Sequence, residues 1–365
     1  MLYSHYDSAQ LESTLIAMKP DWKNFLGTAG AAFNSNGATV LNFGNPAHER
    51  SVATTGSVLC DLSHLGLIAA HGADTQTFLQ SQFTNDARDV TATRSQLSGY
   101  CSAKGRLLAL FRIFQRGEHV YLQFPHELLE ATLKRLRMFV MRAKVTLDDT
   151  TDNLVRIGFA GPQAEQQLNS ALGQLPQAVN EVVSAKELTV LRLPGVNPRF
   201  ELVGELPSIQ AAWEQLAAHA TPVGAPVWEL LNILAGVPEV FSSSTEEFVP
   251  QMVNLTSLGG VNFKKGCYPG QEIVARMQYL GTLKRRMYLT HIAVDEPPAP
   301  RAALYEAGTD GTQSIGAIVN AQPAPNGGCN ALAVVVIAAA ERDAVRLGSA
   351  DGPALKFQSL PYSLE

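Results

Sequence analysis

The sequence predicts an α+β protein, with two α+β units in succession and then a small antiparallel β domain or barrel. Three patterns predict it. Residues 58–140 run strand, helix, hairpin, helix; residues 151–224 repeat a similar order; after residue 283 the apolar spacing becomes strand-like. A chain of 365 residues suits two or three compact units. With 46% hydrophobic against 17% charged residues, it has the apolar surface to offset the entropy of ordering.

Taken in order, residues 27–47 (GTAGAAFNSNGATVLNFGNPA) are small, polar and rich in Gly and Asn. An irregular leader over 1–47, with at most a short strand, is expected. Residues 58–70 are mostly apolar and read as one strand; His71-Gly72-Ala73-Asp74 then turns into a helix over 75–83, with Asp74 placed to cap it. Segments 95–103 and 106–114, joined at Lys104-Gly105, read as a hairpin, and residues 121–124 add a strand. Leu128, Leu129, Leu133, Leu136 and Val140 recur at helical spacing and mark an amphipathic helix. The second unit reads as a strand at 154–160, a helix at 163–172, strands at 188–193 and 199–203, and a helix at 208–219. No self-similarity marks the two units as a repeat. Residues 228–235 form a short helix stopped by Gly236 and Pro238. Strands are expected over 287–294, 315–321 and 332–337.

A formal charge of −5, from 28 Lys plus Arg against 33 Asp plus Glu, does not suit a protein that holds nucleic acid by neutralising phosphates. Lys264, Lys265, Lys284, Arg285 and Arg286 flank one short stretch, and solvated loop and helix-end cations account for them. Cys60, Cys101, Cys267 and Cys329 form no CxxC pair and read as reduced thiols. MLYSHYDSAQ does not look like a secretory signal, and the longest apolar stretch, residues 331–340, is about half of the ~20 residues needed to span a bilayer. A soluble, cytoplasmic protein is expected, with no membrane partner.

The segment richest in chemistry is FKKGCYPGQEIVARMQYLG at 263–281. Pro269 fixes its own φ, Gly266 and Gly270 permit unusual turns, and Ile273, Val274 and Met277 then make an apolar stripe, so a loop enters a helix. Cys267 stands just ahead of that helix beside Lys264 and Lys265, where the helix dipole and positive charge favour a thiolate. A small buried hydrophobe is the alternative for any lone cysteine. The polar, punctuated setting makes a functional thiol an equally ready reading.

Lys265-Gly266-Cys267-Tyr268-Pro269-Gly270-Gln271-Glu272 resembles the signature of the YgfZ family almost residue for residue. The likeness extends through Phe248 to Leu255, Ile273 to Arg276, and Leu360-Pro361-Tyr362-Ser363-Leu364. It continues in Gly72-Ala73-Asp74, Thr84-Asn85-Asp86 and Cys101-Ser102-Ala103-Lys104-Gly105, and so covers roughly residues 58–365. The family is similar in fold to the aminomethyltransferase (T-protein) of the glycine cleavage system. The resemblance thus implies an aminomethyltransferase-like folate-binding fold, with domains around a central channel. The division expected is 1–47 as leader, 48–150 with 225–282 as the first domain, 151–224 as the second, and 283–365 as a C-terminal β-barrel domain.

Functionally, the resemblance implies a tetrahydrofolate-binding accessory factor, expected as a monomer. It would support assembly or repair of iron–sulfur proteins, such as radical tRNA methylthiotransferases, and so tRNA modification, with no direct nucleic-acid contact. Trp228 matches a pocket tryptophan whose face could stack on a pterin. A second family tryptophan falls near Leu65, where this chain has lost it. Glu201 resembles the pterin-binding glutamate of the aminomethyltransferases, although an exposed strand-end glutamate is the slightly readier reading. Aminomethyltransferases carry an acidic pair after the hairpin, and Ala109 and Leu110 stand there, which tells against glycine-cleavage chemistry. Two rival readings stay open: a folate-dependent one-carbon transferase and a direct tRNA-binding module. No metal site is expected.

Overall fold

The computed structural model describes residues 18–364. Of the leader expected over 1–47, residues 1–17 lie outside the described residues, and the remainder is not irregular. Helix α1 (Pro20–Thr28) is followed by strands β1 (Ala32–Phe33) and β2 (Val40–Asn42) and helix α2 (Pro46–Thr55). Proline at the first turn presets the helical φ of α1 and α2. Trp22 and Leu26 of α1 are buried in the same core as Leu59, Phe159 and Trp213.

Strands β3 (Val58–Asp61) and β4 (Leu65–His71) then precede α3 (Thr75–Gln80), β5 (Gln96–Cys101), β6 (Leu107–Arg116), β7 (His119–Pro125), α4 (Leu129–Met138) and β8 (Thr146–Asp149). The second unit holds β9 (Val155–Ala160), α5 (Ala164–Leu172), β10 (Val182–Ala185), β11 (Leu188–Leu193), β12 (Arg199–Gly204), α6 (Leu206–Ala217) and β13 (Thr221–Val223). Helices α7 (Ala225–Leu234) and α8 (Gln271–Tyr279) lead to β14 (Arg285–Ile292), β15 (Ala303–Glu306), β16 (Gly316–Pro323), β17 (Cys329–Val336), α9 (Ile337–Glu341), β18 (Val345–Leu347) and β19 (Leu355–Gln358).

The strands build three large sheets, ordered β5-β6-β7-β4-β8, β10-β11-β12-β9-β3-β13 and β18-β15-β16-β17-β14-β19. Pairing is antiparallel except between β13 and β3. In the third sheet the edge strands β18 and β19 approach each other, with an Arg346–Ala354 bridge beside them, so the sheet curls towards a barrel.

The single strand expected over 58–70 is two strands in two different sheets. Asp61 makes the break: it accepts Trp22 Nε1–H at 2.7 Å and the Ser63 hydroxyl at 2.7 Å, and β3 pairs with β9 while β4 pairs with β7. Both strands are buried on both faces, so their apolar run carries no period that could reveal the division. Asp74 does not cap α3 with its side chain; that carboxylate accepts the Lys144 backbone N–H at 2.7 Å and ties the turn to the segment entering β8. Among the described residues no helix is long and apolar enough to cross a membrane.

Candidate functional site

The first two sheets face each other across a narrow cleft of about 70 Å³, and Leu65, Glu201 and Trp228 all line it. Glu201 on β12 is 1% exposed, which removes the reading of an exposed strand-end glutamate. Gln123 Nε2 donates to its Oε2 at 3.0 Å, whereas Glu201 Oε1, Gln123 Oε1 and Arg199 Nε are buried with no partner among the described residues. Burial pushes the Glu201 carboxyl up, opposed by the Gln123 hydrogen bond and the Arg156, Arg112 and Arg199 charges. Burial likewise lowers Arg112 to about 10 and Arg199 to about 9. Buried polar atoms are nearly always paired, and three atoms in this one cleft are not.

Trp228, 2% exposed, does not offer the free face expected for stacking. The Arg199 guanidinium lies over its ring at 4.5 Å, and a Cβ at Gly158 would stand 2.5 Å from the far edge of its six-membered ring. The tryptophan thus fixes Arg199 in the cleft wall. Of the pair Ala109 and Leu110, both buried, Leu110 lines the cleft and puts an apolar group there.

A second cavity of about 300 Å³ adjoins the first, sharing Leu65, Pro125 and Glu239. Burial raises Glu229 to about 7 and Glu239 to about 8, each carboxyl also feeling a neighbouring glutamate. The sequence reading missed both acids, together with Arg112 and Gln123. A signal was present, because each interrupts an apolar run: Glu229 and Glu239 within 225–241, Arg112 within β6 and Gln123 within β7.

The signature loop lies elsewhere, against the hairpin turn. Gly270 has φ +80°, and a Cβ there would sit 2.4 Å from the Ser102 carbonyl and 2.6 Å from Gly105; a Cβ on Gly105, φ +69°, would meet Ile273 at 2.9 Å. Two glycines therefore let the 101–105 turn and the 264–272 loop close on each other. Lys265, 7% exposed, turns inward: its ammonium donates to the carbonyls of Gln80 at 2.6 Å, Asn85 at 3.0 Å and Phe83, and lies 5.1 Å over the Tyr268 ring. Its expected role as a cation activating Cys267 gives way to that of a clamp. Thr84 and Asn85 hold the preceding turn through the Gly260 and Gly259 carbonyls, each at 2.7 Å.

Downstream, Gln251 Nε2 donates to the Val274 carbonyl of α8 at 2.7 Å. Asn254 Nδ2 reaches Met287 O at 2.9 Å and the Tyr362 hydroxyl at 3.4 Å, and that hydroxyl donates to Gly236 O at 2.8 Å. Tyr268 and Cys101 are buried, and burial pushes both up, the thiol to about 12. Cys267, Lys104, Glu272 and Arg276 are exposed, as is Gly266, while Gln271 is half-buried. The structure thus makes two places of the expected site residues: Leu65, Glu201 and Trp228 in the cleft, and the signature loop with the hairpin motif.

Residues 31–231 match the family model of the GCVT N-terminal domain. The crystal structure of glycine cleavage system aminomethyltransferase T from Bartonella henselae shares the fold. Its TM-score is 0.77 at 19% identity, covering 95% of this chain and 98% of that one. The architecture is therefore that of the GCVT-type proteins, as expected. The tRNA-modifying protein YgfZ of Colwellia psychrerythraea is 31% identical over 307 residues, 84% of this chain and 93% of that one. The tRNA-modifying protein YgfZ of Photorhabdus laumondii is 34% identical over 316 residues, 86% and 95% respectively. The chain belongs to the YgfZ family.

Proposed function

We propose that the chain is a tetrahydrofolate-binding accessory factor of the cytoplasm that supports iron–sulfur proteins and, through them, tRNA modification. The observation that carries the folate assignment is the buried, half-partnered Glu201 carboxylate in a cleft with Arg112, Gln123 and Arg199. Glu201 Oε1 and Gln123 Oε1 would accept the amino and ring N–H donors of a pterin, and Arg199 Nε would donate to its carbonyl. The cleft alone is smaller than the roughly 300 Å³ of a small-molecule site, so the remainder of the ligand would occupy the adjoining cavity past Leu65 and Pro125.

The relatives named as tRNA-modifying support the tRNA side of the reading, and a net charge of −5 favours an indirect route over direct binding. Leu110 in the cleft wall favours an accessory role over one-carbon transfer. Cys267, exposed on the signature loop, would meet the iron–sulfur client.

Tryptophan fluorescence tests the cleft, because Trp22 and Trp213 lie in a different core from Trp228, 5.5 Å apart. Tetrahydrofolate should quench Trp228 emission saturably. Glu201→Gln should weaken binding by about tenfold to a hundredfold, since hydrogen bonds to a charged group contribute about 1.5–3 kcal/mol. Equal affinity in the variant would remove Glu201 from the site.

A further inference from the structure

We propose that a third cavity, sharing no wall residue with the cleft or the signature loop, binds a small organic dianion: a phosphomonoester or dicarboxylate on a flat apolar body. The cavity measures about 360 Å³ and lies between Arg106, just before β6, residues 247–252 and the C-terminal sheet. That volume falls in the range of small-molecule sites, roughly 300–1,000 Å³. Phe248, Met252, Ala317 and Val334 give it apolar surface.

Arg106, Arg285 and Arg301 reach it from three separate segments, against a single carboxylate, Glu247. Glu247 is already engaged, its Oε2 accepting Arg301 Nε–H at 3.0 Å. Among the described residues the other two guanidiniums have carbonyl partners and no acidic one: Arg106 donates to Glu246 O at 3.1 Å and Glu247 O at 2.6 Å, and Arg285 to Ser314 O at 3.3 Å. Carbonyls occupy some N–H donors without neutralising the charge, and each guanidinium has five such donors. Two positive charges with no acidic partner among the described residues thus face a concave, partly apolar space in a chain whose net charge is −5. Guanidinium forks match phosphate and carboxylate oxygens in pairs. The Lys284-Arg285-Arg286 stretch accordingly divides, with Arg285 turned to a cavity rather than spent as a solvated cation.

Calorimetric titration of the full chain at low salt, with phenyl phosphate, phthalate and uncharged benzamide as probes, tests the site. Phenyl phosphate or phthalate should bind at one site, and the tighter of the two names the anion. Benzamide should not bind. Arg106→Gln also removes a support of the 246–247 backbone, so Arg285→Gln, which gives up one 3.3 Å bond, is the deciding variant. It should weaken the anion at least tenfold and leave the tetrahydrofolate titration at the wild-type value, which separates this site from the cleft. The proposal falls if neither anion binds saturably, if benzamide binds as well as they do, or if Arg285→Gln stays within twofold of wild type.

Discussion

Replacing Lys265 by methionine should test whether the signature loop is held from inside. The ammonium serves three carbonyls, those of Gln80, Phe83 and Asn85, at a side chain only 7% exposed. A buried acceptor left without a partner costs about 1–3 kcal/mol. Methionine refills most of the stem, so the loss should be about 3 kcal/mol, a large part of a total stability of about 5–15 kcal/mol. In a chain of this length 1 kcal/mol moves Tm by roughly 2 °C. A drop of about 6 °C is therefore expected in a thermal melt, with faster amide exchange confined to residues 80–86 and 264–268. Burial also lowers Lys265 from 10.5 to about 8. The unfolded chain then binds more protons between those values, so wild-type stability should gain on the variant as pH rises from 8 towards 10.5. A variant that melts within 1 °C of wild type would refute the clamp.

Gly270→Ala should lower stability by about 2 kcal/mol, because φ is +80° and the new Cβ meets Ser102 O at 2.4 Å; Gly266→Ala, with nothing within 4 Å, should stay within about 0.5 kcal/mol. Denaturant midpoints of the pair decide whether the glycine contact matters. Cys267→Ser should likewise leave stability unchanged, the thiol being exposed, yet impair tRNA methylthiolation in cells; full complementation of a strain lacking its YgfZ would make the sulfur idle. No ammonia should be released from an aminomethylated lipoyl carrier, since Ala109 and Leu110 provide no carboxyl, and measurable release would overturn that reading.

What the sequence could disclose depended on whether a signal was local. Residues 188–193 and the 107–114 stretch announced themselves as strands by β-branched and aromatic runs, and α4 by its stripe of leucines. Helix α1 is hidden when the small, polar make-up of 27–47 is extended to residues 1–47; Trp22 and Leu26, which bury it, lie outside that stretch. At the site, the motif residues were legible as types but not as orientations. Nothing local tells that Glu201 is wholly buried, that Arg199 covers Trp228, or that Lys265 points away from solvent. Those facts are set by strands and turns distant in sequence, such as β9 beneath Trp228 and residues 80–85 around Lys265.

The hairpin β5–β6 joins the two places where the site residues gather. Its turn, 101–105, carries the signature loop through Gly105 and Gly270, and further along β6 Leu110 and Arg112 form cleft wall. At about 3.3 Å per residue, the seven steps from Gly105 to Arg112 span roughly 20 Å. A pterin held by Gln123, Glu201 and Arg199, with Arg112 in the same wall, would thus lie about that far from the turn on which the Cys267 loop rests. Direct attack of the thiol on a bound pterin ring does not fit this spacing. Coupling between cleft and loop would have to travel along a strand buried over most of its length, 0% exposed at Ala109 and Phe111.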